Sequence, residues 1–375
     1  MDPALQPSKP FYQKLALVLI SLVALVYIAI IGKQILCPLV FGFLFAILLL
    51  PMARYMERRW HLKRIAAAGL TVFAMMLAII GLLFLVSAQL IKVSQDMPRL
   101  NEQVNQLSYN AKVWVKNKFD VDIAEQEKFL EKTTKDFKKS TPTLLGITVM
   151  SLSSILIFWV FILLDTFFLI AYRKMLMQFI LDVFLKHNNE KVLDIISRIQ
   201  FIIRNYIVGL FLEMLIVAGM CMLAFVFLGI KYALLLALIT ALFNIIPYIG
   251  IFCALIINLV IVFATTTILT KVILVGVVVI IVHLIDSNIL LPVIVGSKVR
   301  INAFITIIGV VLGEMTWGLS GMFLSIPIIA IAKIIFDKIE YLNPWGHLLG
   351  YETFEKKPLK FNYQFRRHKE NMMNK

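Results

Sequence analysis

The sequence predicts an all-α, polytopic transmembrane protein with about eight membrane segments. Of its 375 residues, 61% are hydrophobic and only 16% are charged, whereas an ordinary soluble domain has about 25% charged residues. Long uncharged stretches recur along the chain, and a helix needs roughly 20 apolar residues to cross a bilayer. Two of these stretches are broken near their centres. Broken backbone at membrane depth is tolerated only where protein or a water-filled cavity satisfies its polar groups.

Three spans are predicted within residues 1–91, at positions 15–32, 35–53 and 65–91. The loop between the second and third spans is basic and contains Arg54, Arg58, Arg59, Lys63 and Arg64. Short loops rich in Lys and Arg stay in the cytoplasm. We therefore expect a cytoplasmic N-terminus, and the basic tail at residues 337–375 predicts a cytoplasmic C-terminus.

The middle of the chain alternates between polar and apolar regions. Residues 92–142 are highly charged with apolar positions at helical spacing, which predicts a helical extracytoplasmic insertion. This insertion is either a solvated extension or a contact surface. Residues 143–205 predict a fourth span followed by a cytoplasmic amphipathic helix. Residues 206–336 predict a transport core.

The core contains the two broken segments, at residues 232–270 and 301–332. Each is too long for one straight crossing, because a helix rises only 1.5 Å per residue. If both turn back as re-entrant hairpins, Lys298 and Arg300 lie inside, as the positive-inside rule prefers. The alternative is a pair of tilted, kinked spans. The residues predicted to break or hinge the helices are Pro247, Gly250, Pro292, Gly296, Gly318, Gly321 and Pro327.

Acidic residues in apolar surroundings are the candidate functional groups, because a charge inside a membrane is costly. Asp286 lies close to other polar side chains and is either a proton or cation site, a substrate anchor, or part of an internal hydrogen-bonded network. We expect Glu314 either to contact an ion or substrate or to cap backbone N–H groups. We expect Asn244 either to cap freed backbone groups or to contact substrate. The predicted substrate- or ion-binding residues are Glu213, Asn244, Tyr248, His283, Asp286, Asn288 and Glu314.

Other function classes leave no signature. No phosphate-binding loop, nucleophile motif or metal-ligand spacing occurs, so we expect no enzyme activity, no cofactor and no metal. The cysteines Cys37, Cys221 and Cys253 lie in apolar stretches and are interpreted as small apolar packing residues. The net charge of +15 suits cytoplasmic loops and anionic lipid headgroups, and we expect no nucleic-acid partner.

Three motifs resemble the autoinducer-2 exporter (AI-2E) family of bacterial membrane proteins. Asn244–Gly250 (NIIPYIG) resembles its N-x-I-P-Y-I-G signature, and Asp286–Gly296 resembles its acid-x-N-x-L-x-P-x-x-x-G stretch. Gly318 and Gly321, followed by Pro327, resemble its G-x-x-G-x-x-x-x-x-P ending. The resemblance implies an inner-membrane transporter that forms a homo-oligomer, with a pentamer as the implied assembly. Glu213 and Glu314 depart from the family pattern and raise the possibility of cation coupling.

Three functions therefore remain open. The first is a secondary transporter that exports a small polar metabolite such as autoinducer-2, by alternating access at the broken helices. The second is a monovalent cation (sodium or lithium)/proton antiporter with Asp286 and Glu314, and also Glu213, as carriers. The third is a non-transporting membrane scaffold whose insertion at residues 92–142 binds a partner.

Overall fold

The computed structural model describes residues 11–95, 144–184, 188–246, 249–266, 268–296 and 301–350, with isolated positions at 109, 113, 116 and 117. The predicted insertion lies almost entirely outside the described residues, as does the tail from residue 351. Pro247, Tyr248, Lys298 and Arg300 also lie outside them.

The described ranges are helical and contain no strand. The α-helices are α1 (Phe11–Ile31), α2 (Lys33–Arg59), α3 (Arg64–Gln95), α4 (Leu144–Ala171), α5 (Arg173–Val183), α6 (Asn189–Phe227), α7 (Ala233–Phe243), α8 (Ile249–Thr265), α9 (Leu269–Ile285), α10 (Ala303–Trp317), α11 (Leu319–Lys338) and α12 (Asn343–Leu349). A π-helix, Asp286–Gly296, continues α9, and a 3-10 turn, Glu340–Leu342, precedes α12. Within these ranges, 6 helices are long and apolar enough to cross a membrane, which confirms the predicted fold class.

Helix α6 differs from the predicted layout. The sequence predicts an amphipathic helix up to residue 205 and a separate span from residue 206. The structure joins them into one helix of 39 residues, Asn189–Phe227. No proline or glycine lies between Asn189 and Val208, so nothing in the backbone interrupts the hydrogen-bond ladder there.

The first broken segment is a helical hairpin, which we call hairpin 1 (α7 and α8). The Asn258 amide of α8 donates to the Thr240 hydroxyl of α7 at 2.6 Å, so the two arms lie side by side. A Cβ atom at Gly250 would overlap the carbonyl oxygen of Phe243, and only glycine permits this close approach. The arms have 11 and 17 residues, fewer than the roughly 20 needed for one crossing.

The second broken segment is also a hairpin, hairpin 2 (α10 and α11). Its turn is at Gly318, whose φ of +62° is in the left-handed region that favours glycine. The backbones of Gly313 and Gly321 are in direct contact across the turn, so a Cβ on either would overlap the other residue. The structure therefore confirms that both segments turn back.

Charged residues at the ends of several helices lie together at one end of the bundle, which we call the basic end. Arg173, just after α4, donates to both carboxylate oxygens of Glu57 near the end of α2, at 2.8 and 2.5 Å. Lys338, at the end of α11, pairs with Asp194 in the first turns of α6 at 2.5 Å. Helices α2, α4 and α11 thus end where α6 begins.

The hairpins enter the bundle from opposite ends. Tyr232, at the start of hairpin 1, donates from its hydroxyl to the carbonyl of Lys92 near the end of α3 at 3.1 Å, which is the end away from the basic end. Hairpin 2 returns to the basic end at Lys338, so its turn points the other way. The Trp317 indole N–H there donates to the carbonyl of Ala29 at 2.8 Å and so satisfies one of the free carbonyls at the end of α1.

Candidate functional site

Two acids and one amide meet in the interior, and we call Glu213, Asn244 and Asp286 the acid–amide cluster. The Asn244 Nδ2 donates to Glu213 Oε1 at 3.1 Å and to Asp286 Oδ2 at 3.0 Å. Glu213 is 3% exposed and Asp286 is 4% exposed. The two carboxyl groups thus lie on either side of one amide group. Three separate elements therefore converge on one point.

The cluster lacks a positive charge among the described residues. No described Lys or Arg forms a salt bridge with either acid. One oxygen of each carboxyl group, Glu213 Oε2 and Asp286 Oδ1, is buried without a hydrogen-bond partner. Buried charges require a partner, and a buried pair of like charges is strongly unfavourable. The arrangement can therefore be completed by a proton or by a small cation, which the free oxygens would bind.

Local structure explains why these side chains converge. Glu213, Val217 and Cys221 are spaced by four along α6 and are all buried, so they form one inward face. Asn244 ends α7 as its C-cap, one turn after Thr240. Asp286 is the first residue of the π-helix, a wider helix form that is frequent at functional sites. The sequence indicates a disruption near Pro292, but not a π-helix.

A second buried polar contact lies deeper between the arms of hairpin 1. The Thr240 hydroxyl accepts from Asn258 and donates to the Leu236 carbonyl at 2.8 Å. It also lies within reach of the Cys221 thiol. Asn258 is fully buried and its Oδ1 has no partner. Sequence reasoning missed Thr240, because nothing in the pattern reveals the register between the arms.

Among the described residues, the other predicted polar side chains form no hydrogen bond with the cluster. The Nδ1 of His283 is buried without a partner. Asn288 is exposed and donates to the Leu284 carbonyl of its own helix at 2.8 Å. Glu314 is exposed on α10 and caps no helix end through its side chain. The structure thus joins Asp286 to Glu213 and Asn244 but brings neither Asn288 nor Glu314 to them.

The predicted hinge residues fall into different settings. Gly318 forms the turn of hairpin 2, and Gly250 and Gly321 allow close backbone contacts. Pro292 lies within the π-helix, which ends at Gly296. Pro327 lies inside α11, which continues past it to Lys338. The described residues contain no group of three or more His, Cys, Asp or Glu that could hold a metal ion.

A cavity of about 410 Å³ lies between the turns of the two hairpins, and we call it the tip cavity. Hairpin 1 contributes Leu242, Ile245 and Ile246, and hairpin 2 contributes Leu319, Ser320 and Phe323. The rest of the lining comes from α2, α4 and α6, namely Phe41, Leu44, Phe45, Trp159, Ile207, Leu210, Phe211 and Met214. The acid–amide cluster is not part of the lining, although its Asn244 belongs to the same turn as the lining residues of hairpin 1.

A second cavity, the outer cavity, lies near the junction of α1 and α2. It measures about 470 Å³ and includes Lys33, Gln34 and Ser154. Ser320 borders both cavities. Between them, Phe41 stacks on Phe323 with ring centroids 5.5 Å apart and contacts Phe158 edge-on at 5.9 Å. Three helices therefore meet in an aromatic wall between the two spaces.

The fold and the site together define a polytopic helical membrane protein of the transporter class. The described part has long apolar helices, paired hairpins inserted from opposite ends, a cavity between their turns, and buried acids without a counter-charge. Discontinuous helices of this kind form the binding sites of secondary transporters.

The AI-2E family transporter model matches residues 19–340, and the chain belongs to this family. The resemblance drawn from the three motifs is confirmed. The chain is 24% identical over 307 residues to the "Putative transport protein YueF" of Bacillus subtilis (strain 168), covering 77% of this chain and 80% of that protein. It is also 32% identical over 131 residues to the "Putative transport protein YrrI" of the same organism, covering 35% of this chain and 36% of that one.

Proposed function

We propose that this chain is a secondary transporter coupled to a proton or a monovalent cation, with Glu213 and Asp286 as the coupling site. The observation that carries the proposal is the acid–amide cluster, in which two buried carboxyl groups share one neutral donor, Asn244. Acids inside a membrane are costly and mark ion pathways. The cluster supports the antiporter hypothesis more directly than the other two, with Glu213 rather than Glu314 beside Asp286.

Hairpin 1 supplies the link between ion and solute. Asn244 binds both acids, while its neighbours Leu242, Ile245 and Ile246 border the tip cavity. A proton or cation on the free oxygens of the two carboxyl groups lowers their negative charge and so weakens the hydrogen bonds that they accept from the Asn244 amide. The turn of hairpin 1 is therefore held differently when the acid–amide cluster binds an ion and when it does not. Such a change at the turn can couple ion binding at the cluster to solute binding in the tip cavity.

The test uses purified protein in liposomes that contain a pH-sensitive dye. An imposed sodium or lithium gradient should drive proton movement in the wild type. Asp286→Asn and Glu213→Gln should each lower the rate by about tenfold or more, the equivalent of one lost interaction with a charged group. Asp182→Asn, on the exposed surface of α5, is the matched control and should keep the wild-type rate. Unchanged proton flux in both cluster variants would reject the proposal.

Export of autoinducer-2 is a second candidate, because the tip cavity has a volume typical of small-molecule sites, but the apolar lining of that cavity suits a polar solute poorly. Efflux of the signal from preloaded vesicles would support this candidate, and its absence alongside cation-driven proton flux would leave the antiporter. The scaffold function depends on the insertion at residues 92–142, which lies outside the described residues, and it stays a prediction.

The location follows from the family and the charge pattern. We propose a bacterial inner-membrane location with the basic end in the cytoplasm, since that end gathers Arg54, Arg58, Arg59, Arg173 and Lys174. Both termini would then be cytoplasmic. Assembly as a homo-oligomer, with lipids and a small solute or ion as the other partners, also belongs to the proposal.

A further inference from the structure

The lining of the tip cavity indicates the class of organic solute that it accepts. We propose that this cavity binds small molecules with a flat, apolar body and few hydrogen-bonding groups. The inference rests on the proposed transport function, because it takes the space between the two hairpin turns as the solute site.

The position and size of the tip cavity suit a transported solute. Both hairpin turns border it, through Ile245 and Ile246 on one side and Leu319 and Ser320 on the other. A solute held there touches both elements that interrupt the membrane helices. The volume of about 410 Å³ lies within the range of roughly 300–1,000 Å³ for small-molecule sites.

The wall of the tip cavity is largely aromatic and aliphatic. Aromatic rings come from α2, α4, α6 and α11, and include Phe41, Trp159, Phe211 and Phe323. Phe41 and Phe323 stack on each other with their rings parallel within 3°, and aromatic side chains such as these can stack against a planar ligand. Among the described lining residues, only Ser320, with its hydroxyl group, and Trp159, with its indole N–H, can donate a hydrogen bond from a side chain. A solute with several hydroxyl groups would lose its hydrogen bonds to water and regain few of them here.

No acidic or basic side chain belongs to the described lining of the tip cavity. Glu213, Asn244 and Asp286 are absent from its lining, and the Asn244 amide donates to one oxygen of each acid. The solute therefore needs no charge to complete the acid–amide cluster. Polar groups such as Lys33 and Gln34 border the outer cavity instead, beyond the aromatic wall.

The experiment measures binding of N-phenyl-1-naphthylamine, an uncharged aromatic fluorophore, to the full chain in lipid nanodiscs. Empty nanodiscs give the partitioning background. We expect saturable fluorescence above that background, displaced by 1-naphthol and not by ribose. Met214→Trp and Ser320→Phe fill the cavity from two sides and should each weaken binding by about tenfold or more, since a filled pocket loses its ligand contacts.

Leu223→Trp is the matched control, because Leu223 lies on α6, is 63% exposed and is absent from the lining. It should bind like the wild type, and all variants must be monodisperse with similar thermal unfolding. Binding that is no greater than in empty nanodiscs would overturn the inference. Equal binding in wild type and both filled variants would also overturn it and would point to lipid tails as the occupant.

Asp286→Asn separates this inference from the proposed coupling. It should abolish cation-driven proton flux, while fluorophore binding should remain saturable and should still be weakened by Met214→Trp, because Asp286 is outside the cavity wall. Loss of proton coupling in Asp286→Asn with no saturable binding in the wild type would refute the solute class alone. Normal proton coupling in Asp286→Asn with cavity-dependent binding would refute the coupling site alone.

Discussion

Hairpin 1 and hairpin 2 are built from similarly apolar segments and both contain a close glycine contact, but different side-chain contacts hold their turns. The turn of hairpin 1 is held by side-chain hydrogen bonds from Asn244 to two buried acids. Hairpin 2 is closed by direct backbone contact between Gly313 and Gly321, and Trp317 fastens its turn to α1. The acid nearest that turn, Glu314, is exposed.

This difference predicts that hairpin 1 responds to ion binding and that hairpin 2 does not. Hydrogen bonds to a carboxyl pair change strength when the pair binds a proton or a cation. A glycine contact carries no charge and depends only on shape, so ions leave it unaffected. We therefore expect ion occupancy to move hairpin 1 and to leave the closure of hairpin 2 unchanged.

The largest expected effect on protein stability comes from disrupting the backbone contact between Gly313 and Gly321 in hairpin 2. Gly321→Val places side-chain atoms into the backbone of Gly313, and this costs more than the roughly 1–3 kcal/mol of ordinary overpacking. We predict loss of monodisperse protein on size-exclusion chromatography. Gly219→Val is the control, because a Cβ at Gly219 meets no atom within 4 Å. Normal yield and unfolding temperature for Gly321→Val would mean that the glycine contact does not close hairpin 2.

The next effect compares the two unusual glutamates. Glu213→Gln removes a charge from the acid–amide cluster, whereas Glu314→Gln changes an exposed side chain. Cation-driven proton flux should fall by about tenfold or more in the first variant, because a buried hydrogen-bonded charge is lost, and stay at the wild-type rate in the second. Equal losses in both variants would show that the hairpins share the ion chemistry.

A smaller effect is expected at the contact between the arms of hairpin 1. Thr240→Val removes the hydroxyl that accepts from Asn258 and leaves both polar atoms of that buried amide unpaired. The free energy of unfolding should drop by roughly 1–3 kcal/mol, seen as a lower midpoint in thermal unfolding. Thr265→Val is the control, since the Thr265 hydroxyl bonds only to carbonyls of its own helix. Identical midpoints for the two variants would indicate that the contact does not stabilise the hairpin.

The sequence predicts the hairpins well because their breaks are local. Pro247 has no N–H with which to continue a helix, and Gly250 loosens the chain in the middle of an apolar run. The motifs also indicate Asp286 as a candidate. These features depend on backbone chemistry that a short window of sequence contains.

The pairing of acids is not predictable in the same way. Glu213 and Glu314 both interrupt helices that are apolar on all faces, so no amphipathic pattern indicates which acid faces inward. The contact between Glu213 and Asp286 depends on how α6, the π-helix and hairpin 1 pack together. The tip cavity likewise depends on the shape of five separate elements, and its apolar lining resembles ordinary core in the sequence.

The most direct test compares the two turns in one background, with Cys37, Cys221 and Cys253 replaced by Ala. A single reporter cysteine is placed by Ile245→Cys in hairpin 1 or by Leu319→Cys in hairpin 2, and its maleimide labelling rate is measured with and without sodium. We predict that sodium changes the rate at position 245 by about fivefold or more, as expected for a coupling of roughly 1 kcal/mol, and leaves position 319 unchanged. The change at 245 should vanish when Glu213→Gln and Asp286→Asn are both present. A sodium response that persists in that double variant, or that is equal at both turns, would contradict the account.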